Sequence, residues 1–153
     1  MIKKISFLCF ILILINNCGY TPIYSKKSQN FEINELNTFG IKKANKILSN
    51  KLKVYKNNPD ANKSFNILIN SKSSKTTISK DKKGNPSQFS IALNIDIEIT
   101  DNFNNKIKRT FSENSTYDNS ENKFDLRKYE DSLIKNMSEK IFSEIILLLQ
   151  TNS

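Results

Sequence analysis

Few residues in this chain could carry covalent chemistry, and the first of them is Cys18. It closes an apolar run from Phe7 to Ile15, separated from it only by Asn16 and Asn17, and Lys3 and Lys4 stand ahead of the run. Lysines followed by a short apolar segment are the charged and hydrophobic regions of an export signal. The run makes about 14 Å of helix against a hydrocarbon core of about 30 Å, too short for an ordinary membrane span. A cysteine at the end of such a run is where a lipoprotein signal places the residue to be acylated. Its sulfur would take a thioether-linked diacylglycerol, and the amino group freed by cleavage a further acyl chain such as palmitate. On that reading residues 1–17 are a signal peptide and residues 18–30 a lipid-anchored tether. Asn17 stands where a bacterial lipobox usually has a small residue, so two alternatives remain open: an uncleaved N-terminal anchor, and an ordinary signal with a coincidental cysteine. Where lipoproteins are sorted by the residue after cysteine, Asp favours the inner membrane; Gly19 leaves the outer membrane open.

The remaining candidates for chemistry are thin. Asp96 and Glu98 lie two apart on one strand face, about 6–7 Å between Cα atoms, within the range that glycosidase carboxylates use. The bland reading is the polar face of an antiparallel strand, and the chain holds no tryptophan to stack on a sugar. Histidine is absent, which removes Ser-His-Asp and Cys-His nucleophile systems and His-based zinc sites. Cys9 falls in the signal and Cys18 in the anchor, so no thiol is left for an intramolecular disulfide. The expectation is a non-enzyme without metal or dissociable cofactor, whose task is binding or assembly. The formal net charge of +9 includes Lys3 and Lys4 of the signal. The rest suits an anionic partner. Export and the dispersal of lysines among Asn and Ser argue against nucleic acid.

These residues must be positioned by a single domain, residues 31–153, which is long enough to bury a core. Pro22 and Ser25-Lys26-Lys27-Ser28 oppose regular structure before it. Phe31 and Ile33 alternate with polar neighbours and predict a short strand from Phe31 to Leu36. Ile41, Ala44, Ile47, Leu48, Leu52 and Tyr55 then fall on one helix face, with Thr38 placed to cap it and Asn57-Asn58-Pro59-Asp60 to end it. A strand runs from Phe65 to Asn70 and on through Thr76-Thr77-Ile78, and Asp81-Lys82-Lys83-Gly84-Asn85-Pro86 is a turn by composition. From Phe89 to Thr100 apolar and polar residues alternate strictly, the mark of a long half-buried antiparallel strand. Residues 101–105 form a hairpin loop into a strand from Lys106 to about Tyr117, with Ile107 and Phe111 inward. Asp125 is a candidate cap for a long last helix, on which Leu126, Tyr129, Leu133, Met137, Ile141, Ile145 and Leu148 recur every three or four residues. Ile134, Phe142, Ile146 and Leu149 widen that stripe, either into a fully covered core helix or into a partner contact. The order β-α-β-β-β-α predicts an α+β two-layer sandwich: a mixed or antiparallel four-stranded sheet with two helices on one face.

The segment Cys18-Gly19-Tyr20-Thr21-Pro22-Ile23-Tyr24 resembles the start of the LPS-assembly lipoprotein LptE family, in its alphaproteobacterial form, where the acylated cysteine opens a Cys-Gly-aromatic-x-Pro-aliphatic-Tyr motif. The element order, the alternating strand Phe89 to Thr100 and the terminal helix with Asp131-Ser132-Leu133-Ile134-Lys135-Asn136-Met137 extend the resemblance over the mature chain. It implies a lipoprotein of the Gram-negative outer membrane, on its periplasmic face, that plugs an LptD-like β-barrel, supports the barrel's assembly and aids lipopolysaccharide transport to the outer leaflet. An Asn/Ser/Thr-rich surface suits a polar lumen, although biased amino-acid usage gives the same composition. For lipopolysaccharide the candidates are Lys80, Lys82 and Lys83 at the hairpin tip with Lys135 on the last helix, pairing with lipid A phosphates. The bland reading is a solvated turn. A lipid-anchored scaffold of another envelope complex, or a ligand-binding lipoprotein, is the competing function.

Overall fold

In a computed structural model, residues 30–153 are described; the expected signal 1–17, Cys18 and the expected tether up to residue 29 lie outside them. The order is β1 (Phe31–Gly40), α1 (Lys42–Leu52) with a 3-10 turn (Lys53–Tyr55), β2 (Lys63–Lys80), β3 (Pro86–Asp101), β4 (Lys106–Asp118) and α2 (Lys123–Thr151). The sheet order is β1-β2-β3-β4. β1 runs parallel to β2, with a bulge between Ile33 and Glu35, while β2–β3 and β3–β4 are antiparallel. The architecture is the mixed α+β sandwich that the hydropathy pattern predicts.

The alternation decides which face is dry. Phe65, Ile67 and Ile69 of β2 and Ile91, Leu93, Ile95, Ile97 and Ile99 of β3 are buried together with Leu48 and Leu52 of α1 and Ile141, Ile145, Ile146 and Leu149 of α2. Both helices therefore lie on one face, and burying each such side chain contributes about 1.5–3 kcal/mol. The wide apolar stripe of α2 is used by the protein's own core: from Leu133 to Leu149 its inward residues are buried against the sheet and α1. Lys43–Asp131 and Lys51–Glu139 ion pairs align α1 and α2 in the same direction.

Two helix starts differ from expectation. Thr38 does not cap α1: β1 continues to Gly40, because Thr38 pairs with Ile69 and Gly40 with Ser71 of β2. Ile41 is the N-cap residue, without a side-chain cap; its N–H donates instead to Ser71 Oγ at 2.7 Å. At α2 the cap is Asn122 and not Asp125. Its side-chain oxygen accepts from the N–H groups of Phe124 and Asp125, while its amide donates to Asp125 at 2.6 Å. Asp125 thus serves in the first turn, where a carboxylate favours the positive end of the helix.

β1 ends at Gly40, opposite Ser71, so β2 continues as an edge strand from Lys72 to Lys80. Lys72, Lys75 and Lys80 along this edge disfavour strand addition. The distal half of the sheet, β2–β3 with β4, is covered on its inner face by the first turns of α2. That is where the candidate residues gather.

Candidate functional site

The hairpin tip is built by a compact turn. Asp81 Oδ1 accepts from the N–H groups of Lys83 and Asn85, at 2.8 and 2.9 Å, and Asn85 Nδ2 donates to Asp81 Oδ2. These bonds, the Asn85 N–H foremost, hold the Asp81 carboxyl below the usual range. Gly84 supplies the positive φ of 85° that the turn requires. The side chains of Lys80, Lys82 and Lys83 are exposed and, among the described residues, make no ion pair or hydrogen bond. Asn119 ties the tip to the start of α2: its N–H donates to Ser87 and its side-chain amide to Pro86, while its own oxygen accepts from Lys123 Nζ at 2.8 Å. Lys123 is thereby linked through Asn119 to the base of the hairpin at Pro86 and Ser87. Lys135 does not. It lies twelve positions further along α2, about 18 Å at the rise of a helix, on the face that carries Asp131 and the ion pair to α1. The structure brings Lys80, Lys82 and Lys83 together and leaves Lys135 apart.

Beneath the tip sits a cluster that linear patterning did not single out. Lys75 Nζ lies 3.9 Å from the Phe89 ring centroid and 5.7 Å from that of Tyr117, and donates to Glu130 Oε1 at 2.5 Å. Tyr117 Oη donates to the same oxygen at 2.6 Å, and its ring meets Phe89 and Tyr129 at 5.7 and 5.9 Å. Burial works to raise the Glu130 carboxyl, but the bonds from Lys75 and Tyr117 outweigh it and hold the group below the usual range. Burial, then the bond to Glu130, pushes the Tyr117 phenol well above its usual value. One ammonium, one carboxylate and three rings thus pin β2, β3 and β4 to α2. The signal was present in the register: Lys75 has the inward parity of Phe65, Ile67 and Ile69, and a charge facing a core demands a partner. Glu113, inward on β4, meets the same demand through Lys140 at 3.2 Å.

The outer face of the sheet is polar. Asp96 and Glu98 do share it, lining with Leu68, Asn70, Lys108 and Thr110 a shallow hollow of about 390 Å³. Asp96 accepts from Thr110 at 2.8 Å and pairs with Lys72 at 3.5 Å; Glu98 pairs with Lys106 and Lys108 at 3.2 and 3.0 Å. Hydrogen bonds from Lys108 and then Lys106 hold the Glu98 carboxyl below the usual range. Both carboxylates are engaged by side chains of the neighbouring strands, so the pair reads as sheet-face cross-linking. Ser112 with Asn94 at 2.7 Å and Asn34 with Asn66 at 3.1 Å extend this layer of hydrogen bonds. Among the described residues no His/Cys/Asp/Glu group could hold a metal ion, and no described helix is long and apolar enough to cross a membrane.

No family model matches the sequence, and no curated protein matches it. Solved structures do share the fold. Rare lipoprotein B from Shewanella oneidensis superimposes with a TM-score of 0.60 at 13% identity, over 78% of this chain and 96% of that one. An uncharacterized lipoprotein B from Nitrosomonas europaea gives 0.52 at 12% identity, over 80% and 86%. A minor lipoprotein from Acinetobacter baumannii gives 0.51 at 15% identity, over 72% and 91%. The class that fold and surface define is a two-layer α+β domain with one polar sheet face, and it is the fold of these bacterial lipoproteins.

Proposed function

We propose that this chain is an outer-membrane lipoprotein of the LptE type, acylated at Cys18, that seats in the lumen of an LptD-like β-barrel, supports its assembly and aids delivery of lipopolysaccharide to the outer leaflet. The observation that carries the reading is the fold shared with rare lipoprotein B along nearly that protein's whole length, joined to a signal that ends in Cys18-Gly19-Tyr20-Thr21-Pro22-Ile23-Tyr24. Two further features support it. The outer sheet face is a layer of Asn, Ser, Thr and charged side chains suited to a polar lumen, and the tip carries Lys80, Lys82 and Lys83 free to meet phosphate oxygens. The protein acts here by binding, without catalysis or a dissociable cofactor.

Copurification of the native protein from outer membranes tests this. Recovery with a large β-barrel protein, with diacylglycerol and N-acyl mass on Cys18, is the expected result. An acylated but solitary protein would instead favour a lipid-anchored scaffold or ligand-binding lipoprotein. An intact Met1 end without acyl mass would mean an uncleaved anchor.

A further inference from the structure

We propose that the free edge of β4 pairs antiparallel with the same strand of a second copy, around a two-fold axis at Phe111, joining two four-stranded sheets into one. This goes beyond the reading of the chain as a barrel plug and does not rest on it. A lumen wall around the domain and a second copy on β4 exclude each other, so the pair is a form held outside the barrel. β4 ends the sheet, and its ladder to β3 runs without a register shift from Lys106 to Asp118. The Asp101 N–H donates to the Asn105 carbonyl and the Asn119 N–H to that of Ser87, which fixes the odd-numbered residues of β4 as those bonded to β3. The N–H and C=O groups of Lys106, Lys108, Thr110, Ser112, Asn114 and Thr116 therefore face the open edge.

The other edges of the sheet are blunted and this one is not. β1 carries a bulge between Ile33 and Glu35, and the distal edge of β2 has register shifts on both sides of Ser79 as well as Lys72, Lys75 and Lys80. Bulges and edge lysines guard against strand addition. β4 has neither proline nor bulge, and its Lys106 and Lys108 are drawn onto the sheet face by Glu98 at 3.2 and 3.0 Å. Its inner row is also incompletely covered. Ile107 and Phe111 are half-buried, whereas their β3 partners Ile99 and Ile95 are 2% and 0% exposed.

Charge and symmetry select a second copy as the occupant. On the inner row Arg109 and Glu113 stand two residues to either side of Phe111. Arg109 is exposed and, among the described residues, makes no ion pair. Glu113 gives Oε2 to Lys140 at 3.2 Å and keeps Oε1. A two-fold axis at Phe111 sets each Arg109 opposite Glu113 of the second copy and Phe111 opposite its own counterpart. These are pairs without mutual hydrogen bonds, in which facing side chains approach most closely. On the outer face Thr110 then meets Ser112, Lys108 meets Asn114 and Lys106 meets Thr116, so no like charges are opposed. Moving the axis to Thr110 or Ser112 would set Phe111 against Arg109 or Glu113 and lose both matches. Aromatic and opposite-charge pairs across strands are the ones that stabilise such a ladder.

Disulfide trapping in isolated membranes tests this. Full-length chains with the native signal carry Thr110→Cys or Ser112→Cys, two exposed positions on the outer face, away from the core. In the proposed register they face each other across copies with about 5.5 Å between Cα atoms, within reach of a disulfide. Under mild oxidation, coexpression of the two chains is expected to give at least about five-fold more covalent dimer than a chain carrying Thr76→Cys on the distal edge of β2. Adding Arg109→Glu to both chains should cut the yield about five-fold, and adding Glu113→Arg beside it should restore the yield. Dimer no greater than in the Thr76→Cys control, or dimer indifferent to Arg109→Glu, overturns the pairing. Cross-linking to a different protein in place of a second copy overturns it too, and assigns the edge to that protein's strand. Dimer in the oxidised wild-type chain would mean a free Cys18 thiol, which overturns the acylation and leaves the comparison at β4 standing.

Discussion

Glu130 shows how much one side chain can carry. With 21% of its side chain exposed, it accepts both the Lys75 ammonium and the Tyr117 hydroxyl on one oxygen. Its carboxyl is held below the usual value, so its contribution is present above the unfolded value near 4.5 and is lost as pH falls through the lower folded value. Glu130→Gln is expected to cost about 1–2 kcal/mol at neutral pH. It should also flatten the fall in stability on the acid side; urea denaturation at pH 7 and below pH 5 reads both. An acid limb unchanged in the variant would show that other carboxylates set it. The expectation at Cys18 rests on sequence alone because a signal is read linearly. Glu130 could not, because its partners lie 55 and 13 positions away.

At the scale of elements, the β1–α1 junction is the most demanding geometry. Gly40 has φ of +97°, and a Cβ there would sit 1.9 Å from the Ser71 carbonyl oxygen. The buried Ser71 hydroxyl accepts from Ile41 N–H, donates toward Phe39 O at 3.2 Å and lies 2.8 Å from Asn45 Oδ1. Gly40→Ala must then break the parallel pairing, strain the backbone or both, at about 1–3 kcal/mol for each. A drop in the urea midpoint equivalent to at least about 1 kcal/mol, and to about 2–6 kcal/mol if both occur, is expected, and near wild-type stability would exclude this account of the junction. The helices and the three long strands were legible because their periodicities are long. The extension of β1 from Leu36 to Gly40 was not: Asn37, Thr38 and Phe39 show no dry face, and only pairing with Leu68, Ile69 and Asn70 of β2 makes them a strand. Thr38 and Asp125 are both chemically able to cap a helix, and tertiary pairing at one end and Asn122 at the other displaced them.

For the whole molecule, the layers separate two faces and leave two ends. A dry face is covered by α1 and α2, a polar face lies open, and the hairpin end presents exposed Lys80, Lys82 and Lys83 together with exposed Ile78, Phe124 and Tyr129. If the tip lysines meet lipopolysaccharide, Lys82→Glu with Lys83→Glu should weaken its binding by about ten-fold or more, since hydrogen bonds to charged groups contribute about 1.5–3 kcal/mol each. The fold should stay intact, because neither side chain contacts the core. Binding measured on the folded double variant checks this, and unchanged affinity would assign the lysines to solvent. The amino-acid sequence alone determined the α+β class, the element order and the dry faces, because periodicity of two or of three to four residues is a local property of the backbone. The tertiary structure alone decided the parallel pairing of β1, the Lys75–Glu130–Tyr117 cluster and the separation of Lys135 from the tip. Each depends on register and on the rise of a helix or strand across distant segments, which set the distances that no local pattern contains.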